Sequence, residues 1–328
     1  MRIIVTSDLH FDDNPRDAYR FKFMDWLIES IHEHQVDCLL LLGDLTQSKD
    51  NHGAWLVNKF SDWMRKLGDA CDVYVLKGNH DYVSEDVPFF KFFNHLSHVA
   101  WINSPSNISL GEFQCLFLPH TNNYKKDWEK FLGKHYAFIF AHQTFEGANV
   151  GPRKLEGIPL SIFKKNQRII SGDIHVPQDI GNLTYVGAPY TVNFGDDYQG
   201  RVLLISSPDK IESIEYHGAQ KRLIEINSFR SSADIIERAK LKKGDLLKLR
   251  IKVKPDQYDR WEAIRSDIRD WSAKHGYSVE IIQPVMEMQP RTVIHQQDAQ
   301  SDEAYVQAFA ARADIPKETL SVGLNLLK

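Results

Sequence analysis

Five short patches, Asp8-Leu9-His10, Gly43-Asp44, Gly78-Asn79-His80-Asp81, His142 and Gly172-Asp173-Ile174-His175, hold the side-chain types that bind divalent cations. Carboxylates can bridge two ions. Imidazole nitrogens mixed with carboxylate oxygens suit manganese, iron or zinc better than a purely oxygen-lined magnesium site. Two adjacent ions neutralise the oxygens of a phosphate ester and make water nucleophilic at neutral pH, so the chemistry in view is phosphoester hydrolysis. Any one patch alone is weak, because Asp-x-His after a strand is more often an ordinary loop and Gly-Asn-His-Asp can be a turn. Their joint occurrence carries the argument.

Each patch directly follows an apolar run: Arg2-Ile3-Ile4-Val5, Cys38 to Leu42, Val73 to Leu76, Phe138 to Ala141 and Ile169-Ile170. In open sheets, ligands bind beyond the carboxyl ends of strands, so five such ends describe one site. Helices are expected from about Asp17 to His34 and from Ala54 to Leu67, the second on the 3.6-type spacing of Trp55, Leu56, Phe60, Trp63 and Leu67. That gives βαβ order at the start. Short strands follow from Val99 to Leu118, and the first domain is expected to span residues 1–216. The expected architecture is α/β, a β-sandwich of mixed sheets flanked by helices. A small α+β module is expected over 217–286, with strands at Leu223 to Ile226, Leu246 to Val253 and Val279 to Ile282, and helices at Ser232 to Ala239 and Asp256 to Lys274. Residues 287–328 read as a polar linker and two helices, Asp302 to Ala313 and Lys317 to Leu326.

At 328 residues, 42% hydrophobic and 26% charged, the chain has an ordinary globular composition, and its apolar runs are too short to span a membrane. A strand starting at Arg2, with no apolar signal core, predicts a cytoplasmic protein. Three cysteines scattered through apolar segments suit buried, reduced thiols. The net charge of -4 is unevenly spread: from Lys221 to Lys254 there are eleven Lys or Arg against four Asp or Glu. Such a run is either a solvated face or a phosphate-facing surface.

The ordered series D-x-H, GD, GNHD, H and G-x-x-H resembles the calcineurin-like metallophosphoesterase superfamily over roughly the first 200 residues. That resemblance implies two divalent ions, manganese ahead of magnesium. Asp8, His10, Asp44 and His175 would hold one ion, and Asp44, Asn79, His142 and Asp173 the other, with Asp44 bridging. His80 would stabilise the transition state or protonate the leaving oxygen, with Asp81 orienting it. One departure is plain: the last motif of the superfamily is usually G-H-x-H, and here the first His is Asp173. A working site of shifted metal preference and a weakened second site both remain open.

Within the superfamily the chain looks most like the SbcD-type DNA exonuclease subunits, bacterial and phage relatives of the eukaryotic double-strand-break repair nuclease. Gly172 to Gln178 runs on as Gly-Asp-Ile-His-Val-Pro-Gln, and Tyr185 to Asp196 resembles the G-S-P and F-G-E stretch of that group. The module after residue 216 sits where those nucleases carry a DNA-capping domain, which nominates Lys240, Lys242, Lys243, Arg250 and Lys252 as DNA contacts. Gln47 stands where the family often has His or Asp near the scissile phosphate, and His52 is its candidate substitute. A helix apolar on all sides is buried on all sides, by its own domain or by a second copy, and as a cluster Phe89, Phe90, Phe92 and Phe93 are the candidate homodimer surface. The C-terminal segment resembles the region that docks on an SbcC-type coiled-coil ATPase. The resemblance thus implies 3′–5′ exonuclease and single-strand endonuclease activity in DNA repair and recombination. The alternatives are a small-molecule or cyclic-nucleotide phosphodiesterase and a DNA-end-binding protein with a weakened metal site.

Overall fold

The computed structural model describes residues 1–84, 87–226, 241–242, 244–253, 255–275, 278–286, 302–312, 315–325 and 327. The strands of its first half are β1 (Ile3–Thr6), β2 (Cys38–Leu41), β3 (Asp72–Leu76), β4 (Val99–Ile102), β5 (Ser106–Leu110), β6 (Phe113–Leu118), β7 (Phe138–His142), β8 (Asn149–Val150) and β9 (Arg153–Lys154). There follow β10 (Arg168–Gly172), β11 (Gln178–Ile180), β12 (Leu183–Tyr185), β13 (Arg201–Ser207), β14 (Lys210–Glu215), β15 (Lys221–Ile226), β16 (Leu246–Val253) and β17 (Ser278–Met286). The helices are α1 (Phe21–Glu33), α2 (Ala54–Ala70), α3 (Tyr124–Trp128), α4 (Trp261–His275), α5 (Asp302–Arg312) and α6 (Lys317–Asn325).

Alternation along β1 sets the layering. Successive strand side chains point to opposite faces, so Ile3 and Val5 enter one core while Ile4 enters another. The first sheet has the order β14-β13-β1-β2-β3-β4 and the second β11-β12-β10-β7-β6-β5. Between them Ile3, Val5, Leu40 and Leu42 pack with Phe117, Phe138 and Phe140. On the outer face of the first sheet, Ile4, Leu39, Leu41 and Val75 meet Phe23 and Leu27 of α1 and Phe60, Trp63 and Leu67 of α2. On the outer face of the second, Leu116, Ile139 and Ile169 pack with Trp128, Phe145 and Phe163. Two mixed sheets flanked by helices are therefore the architecture, as the sequence indicates.

Two local differences have physical reasons. The first helix starts late: Pro15–Arg20 form a 3-10 turn, capped by the Asn14 side chain accepting from Arg16 N, and α1 begins only at Phe21. The aromatic run is a 3-10 helix, Phe89–His95. With three residues per turn, i and i+3 share a face, so Phe90 and Phe93 are buried in this chain's own core while Phe89 and Phe92 are half-buried at its margin. The expectation that all four form a dimer surface is corrected for Phe90 and Phe93.

β15, β16 and β17 form a separate parallel three-stranded sheet. Leu247, Leu249, Ile251 and Val253 of β16 bury one face with Trp261 and Ile268 of α4, which turns Lys248, Arg250 and Lys252 to the other. The expected helix at Ser232 to Ala239, Lys240, Lys243 and the linker after Met286 lie outside the described residues. Cys38 and Cys115 are buried, Cys71 is half-buried, and none is in a disulfide. Among the described residues no helix is long and apolar enough to cross a membrane.

Phe140, fully buried between the sheets, is expected to cost about 3–5 kcal/mol on Phe140→Ala. Val150→Ala, on the exposed β8–β9 turn, should stay within about 0.5 kcal/mol. Urea denaturation of both variants measures the contrast.

Candidate metal centre

β1, β2 and β3 run parallel in the first sheet, and β7 and β10 run parallel in the second with Gly172 opposite His142. The loops leaving β1 and β2 go on pairing past the strands: Asp8 N donates to Gly43 O at 3.1 Å, His10 N to Asp44 O at 2.9 Å and Phe11 N to Leu45 O at 3.0 Å. These loops take left-handed backbone, with φ of 56° at Asp8, 45° at His10 and 54° at Asp44, and Asp173 on the second sheet has φ 83°. Such conformations cost non-glycine residues on the order of 1–3 kcal/mol each and persist where their surroundings over-determine them.

His142 bridges the two sheets. Its Nδ1–H donates to Leu42 O at 2.5 Å, which turns Nε2 toward Asp44 Oδ1 at 3.4 Å and Asp173 Oδ1 at 3.9 Å. Glycines make this approach possible. A Cβ on Gly43, whose φ is +86°, would lie 2.5 Å from His142 Nδ1, and one on Gly172 would lie 2.0 Å from Ser7 Oγ and 2.5 Å from Leu42 O.

Three sets of side chains each bring their donor atoms within 4.8 Å of one another: Asp8, His10 and His175; His10, Asp44 and His80; and Asp8, Asp44 and His142. Asp44 belongs to two of them. His10 Nε2 lies 3.0 Å from His175 Nε2 and 3.4 Å from Asp44 Oδ2. The Asn79 amide oxygen lies 2.9 Å from His142 Nε2. The same amide terminus is 3.2 Å from both Asp44 oxygens, and turning the amide would make it a donor to all three. Asp8 Oδ2 is buried with no hydrogen-bond partner among the described residues. Carboxylate oxygens and imidazole nitrogens converging at this distance, one buried carboxylate oxygen among them unpaired, fit a pair of divalent ions.

Electrostatics agree with that fit. Burial pushes the Asp8 carboxyl up to about 6, against the pull of His142 and His175, and burial takes His10 down to about 3. Burial would also raise Asp44, but His142, through charge and hydrogen bond, holds it well below the usual carboxylate range. Burial opposes charge on His142, yet Asp44 and Asp8 carry it well above its ordinary value. Without cations, protons must screen these groups.

Asp173 belongs to none of the three sets. Its N donates to Asp8 Oδ1 at 3.1 Å and its Oδ2 accepts from the Thr144 hydroxyl. His80 is half-buried, with Nδ1–H donating to Gln47 O at 2.8 Å and its main-chain N–H to Asp44 Oδ1 at 2.8 Å. Gln47 therefore contributes through its carbonyl, and its side chain is exposed. Asp81 does not orient His80. Fully buried, it accepts from Gly78 N at 2.7 Å, Asp44 N at 2.8 Å and Leu45 N at 3.0 Å, tying two of the loops together. His52 is not brought to the ligands either: it packs on Phe89 and Phe90 at ring distances of 4.2 and 5.7 Å. Lys242 and Lys252 are exposed, and Arg250 lies 3.4 Å from Glu225.

Sequence reasoning overlooked several supports. Ser7 Oγ donates to Leu42 O at 2.9 Å, and Thr144 holds Asp173. Each is a small polar residue next to a motif, which is a usable signal. Nothing marks Arg20, which is buried, donates to the carbonyls of His10 and Val192, and lies 3.4 Å from Asp17. The same Asp17 Oδ1 is 2.7 Å from Nζ of Lys221, the first residue of β15.

The chain has recognisable relatives among known proteins. Residues 1–177 match the calcineurin-like phosphoesterase family. The chain is 39% identical to the SbcD component of the nuclease SbcCD of Escherichia coli strain K12, over 66% of this chain and 67% of that protein. It is 25% identical to the putative phosphoesterase 244L of Invertebrate iridescent virus 6, over 70% of this chain and 84% of that one. The solved nuclease MPE of Pseudomonas putida aligns at 13% identity and a TM-score of 0.32, over 65% and 87% of the two chains.

The close approach at Gly172 predicts that Gly172→Ala destabilises by at least about 1–3 kcal/mol through overpacking. Gly195→Ala, where an added Cβ meets nothing within 4 Å, should change stability by less than about 0.5 kcal/mol. Thermal denaturation of the two variants checks the difference.

Proposed function

Because the chain belongs to the calcineurin-like phosphoesterase family, we propose that it is a two-metal-dependent nuclease hydrolysing DNA phosphodiesters. The observation that carries this reading is the convergence of Asp8, His10, Asp44, Asn79, His142 and His175 at five strand ends, with Asp8, His10 and Asp44 each shared between two ligand sets. DNA as the substrate rests on the likeness to a nuclease component. In this reading Asp8, His10, Asp44 and His175 hold one ion, and Asp44, Asn79, His142 and Asp173 the other, with manganese ahead of magnesium because of the mixed donors. When bound, the ions neutralise the phosphoryl oxygens and supply nucleophilic water.

The protein's own contribution is positioning and proton transfer. His80 Nδ1–H is committed to Gln47 O, so Nε2 is the atom that gives a proton to the leaving oxygen. Asp81 acts as a positioning residue, since the amides it binds fix both Asp44 and Gly78. Asp173, held by Thr144, serves as a hard anionic ligand where the family usually has His. By the same resemblance, the β15–β17 module caps DNA with Lys242, Arg250 and Lys252. Phe89 and Phe92 contribute to a homodimer, and α5 and α6 dock on an SbcC-type ATPase, giving a complex for DNA end processing.

With manganese, the protein is expected to cleave labelled duplex and single-stranded DNA. His80→Ala should lower kcat by roughly 10²–10⁴ with metal content unchanged by elemental analysis. Asp173→Ala should lose one ion and most activity. Hydrolysis of an aryl phosphodiester alone would point to a small-molecule phosphodiesterase, and DNA binding without cleavage to an end-binding protein. Unaltered metal content in Asp173→Ala would remove that residue from the ligand set.

A further inference from the structure

A second feature opens at the same strand-end edge, beside the metal centre. It is a cleft of about 600 Å³ where the chain leaves β3, β4 and β6, walled on the far side by α3 and the turn after it. Lys77, His120, Lys126 and Lys130 line it together with the Phe131 ring. At its exposed rim Lys126 and Lys130 stand beside one carboxylate, Asp127, which accepts from the Thr121 hydroxyl. In a chain of net charge -4 this is a local reversal of sign, of the kind that draws in an anion.

The cleft is built into the wall of the centre. Lys77 directly precedes the Gly78-Asn79-His80-Asp81 patch, and its main chain is clamped from both sides: its N donates to Ile102 O at 3.0 Å and its O accepts from His120 N at 2.9 Å. The lysine side chain is almost fully buried, with Nζ 4.2 Å from the Tyr82 ring centroid. Tyr82 OH shares a 2.9 Å hydrogen bond with His120 Nδ1, and the His120 ring lies 6.4 Å from that of His142. The opening thus adjoins the expected metal ligands through His120. Cations beside an aromatic face are the arrangement that holds a nucleotide of single-stranded nucleic acid, its phosphate by charge and its base by stacking.

We infer that this cleft is a nucleotide subsite, in which Lys126 and Lys130 hold the phosphate next to the one being cleaved and Phe131 receives the base. The inference rests on the proposal that a polynucleotide is the substrate, and it assigns the strand's path on one side of the centre. Its test reads binding without hydrolysis. Affinity of the full chain for a fluorescent single-stranded oligonucleotide is measured in EDTA across a salt series. Lys126 and Lys130 are exposed, so Lys126→Glu/Lys130→Glu is expected to fold. It should weaken binding roughly tenfold and reduce the slope of log affinity against log salt by about 0.7, the value for one lost phosphate contact.

A control of equal charge change, Lys164→Glu/Lys165→Glu at exposed positions beyond the cleft, should shift affinity less than about twofold. Equal losses in both variants, or none in the first, overturn the subsite. Wild-type cleavage of the same oligonucleotide with manganese is read separately. If the first variant alone loses affinity but wild type cleaves no DNA, the subsite stands and the nuclease proposal falls.

Discussion

The hydrogen bond from His142 Nδ1 to Leu42 O is the contact on which the site depends. It joins the last residue of a strand in one sheet to the residue just past a strand in the other, and it holds the two sheets close at one edge. That closeness excludes side chains, which is why Gly43, Gly78 and Gly172 surround the imidazole: a Cβ on any of them would come within 3 Å of His142. The same bond commits one ring nitrogen, so the other is free to face Asp44. Tautomer, sheet spacing and ligand direction are thus settled by one interaction, as is common for metal-binding histidines.

A site assembled this way opposes the stability of the chain that carries it. Four of its residues hold left-handed backbone, at a combined cost on the order of 4–12 kcal/mol. That is comparable with the whole stability of a typical domain. Asp8 and Asp81 are buried carboxyls pushed up to about 6, burial being the larger cause in each. The offset comes from around the site: three amide donors on Asp81, the continued pairing of the β1 and β2 loops, and cores on both faces of each sheet. Cations at the centre remove the remaining repulsion, so metal affinity and folding stability are linked.

Much of this was legible in the chain. Apolar runs ending in Asp, His or Asn located the five strand ends because hydropathy and strand length are local properties. The candidate ligands were nominated by residue chemistry together with the family resemblance. What stayed hidden was relational. Asp81 sits beside His80 in sequence, which suggested a pair, but its oxygens face amides of another loop and only the fold brings those together. The Phe89 to Phe93 run looked like a helix greasy all round because spacing in a short aromatic cluster does not distinguish three residues per turn from 3.6. Arg20 lies ten residues from His10 with no motif about it, and its role depends on carbonyls whose direction is set by the left-handed backbone. The basic stretch after Lys221 was visible as charge, but not which of its members were already neutralised: Lys221 by Asp17, and Arg250 by Glu225.

The shared carboxylate of Asp17 bears on how the β15–β17 sheet can move. Lys221 opens β15, yet its ammonium is nearly buried and belongs with Asp17 and Arg20 to a group of charges packed under the His10 loop. Pulling that ammonium away would leave the Asp17 carboxylate with Arg20 as its remaining cation, which costs stability. The root of β15 is therefore tied, through Asp17 and Arg20, to the backbone of the loop that carries His10.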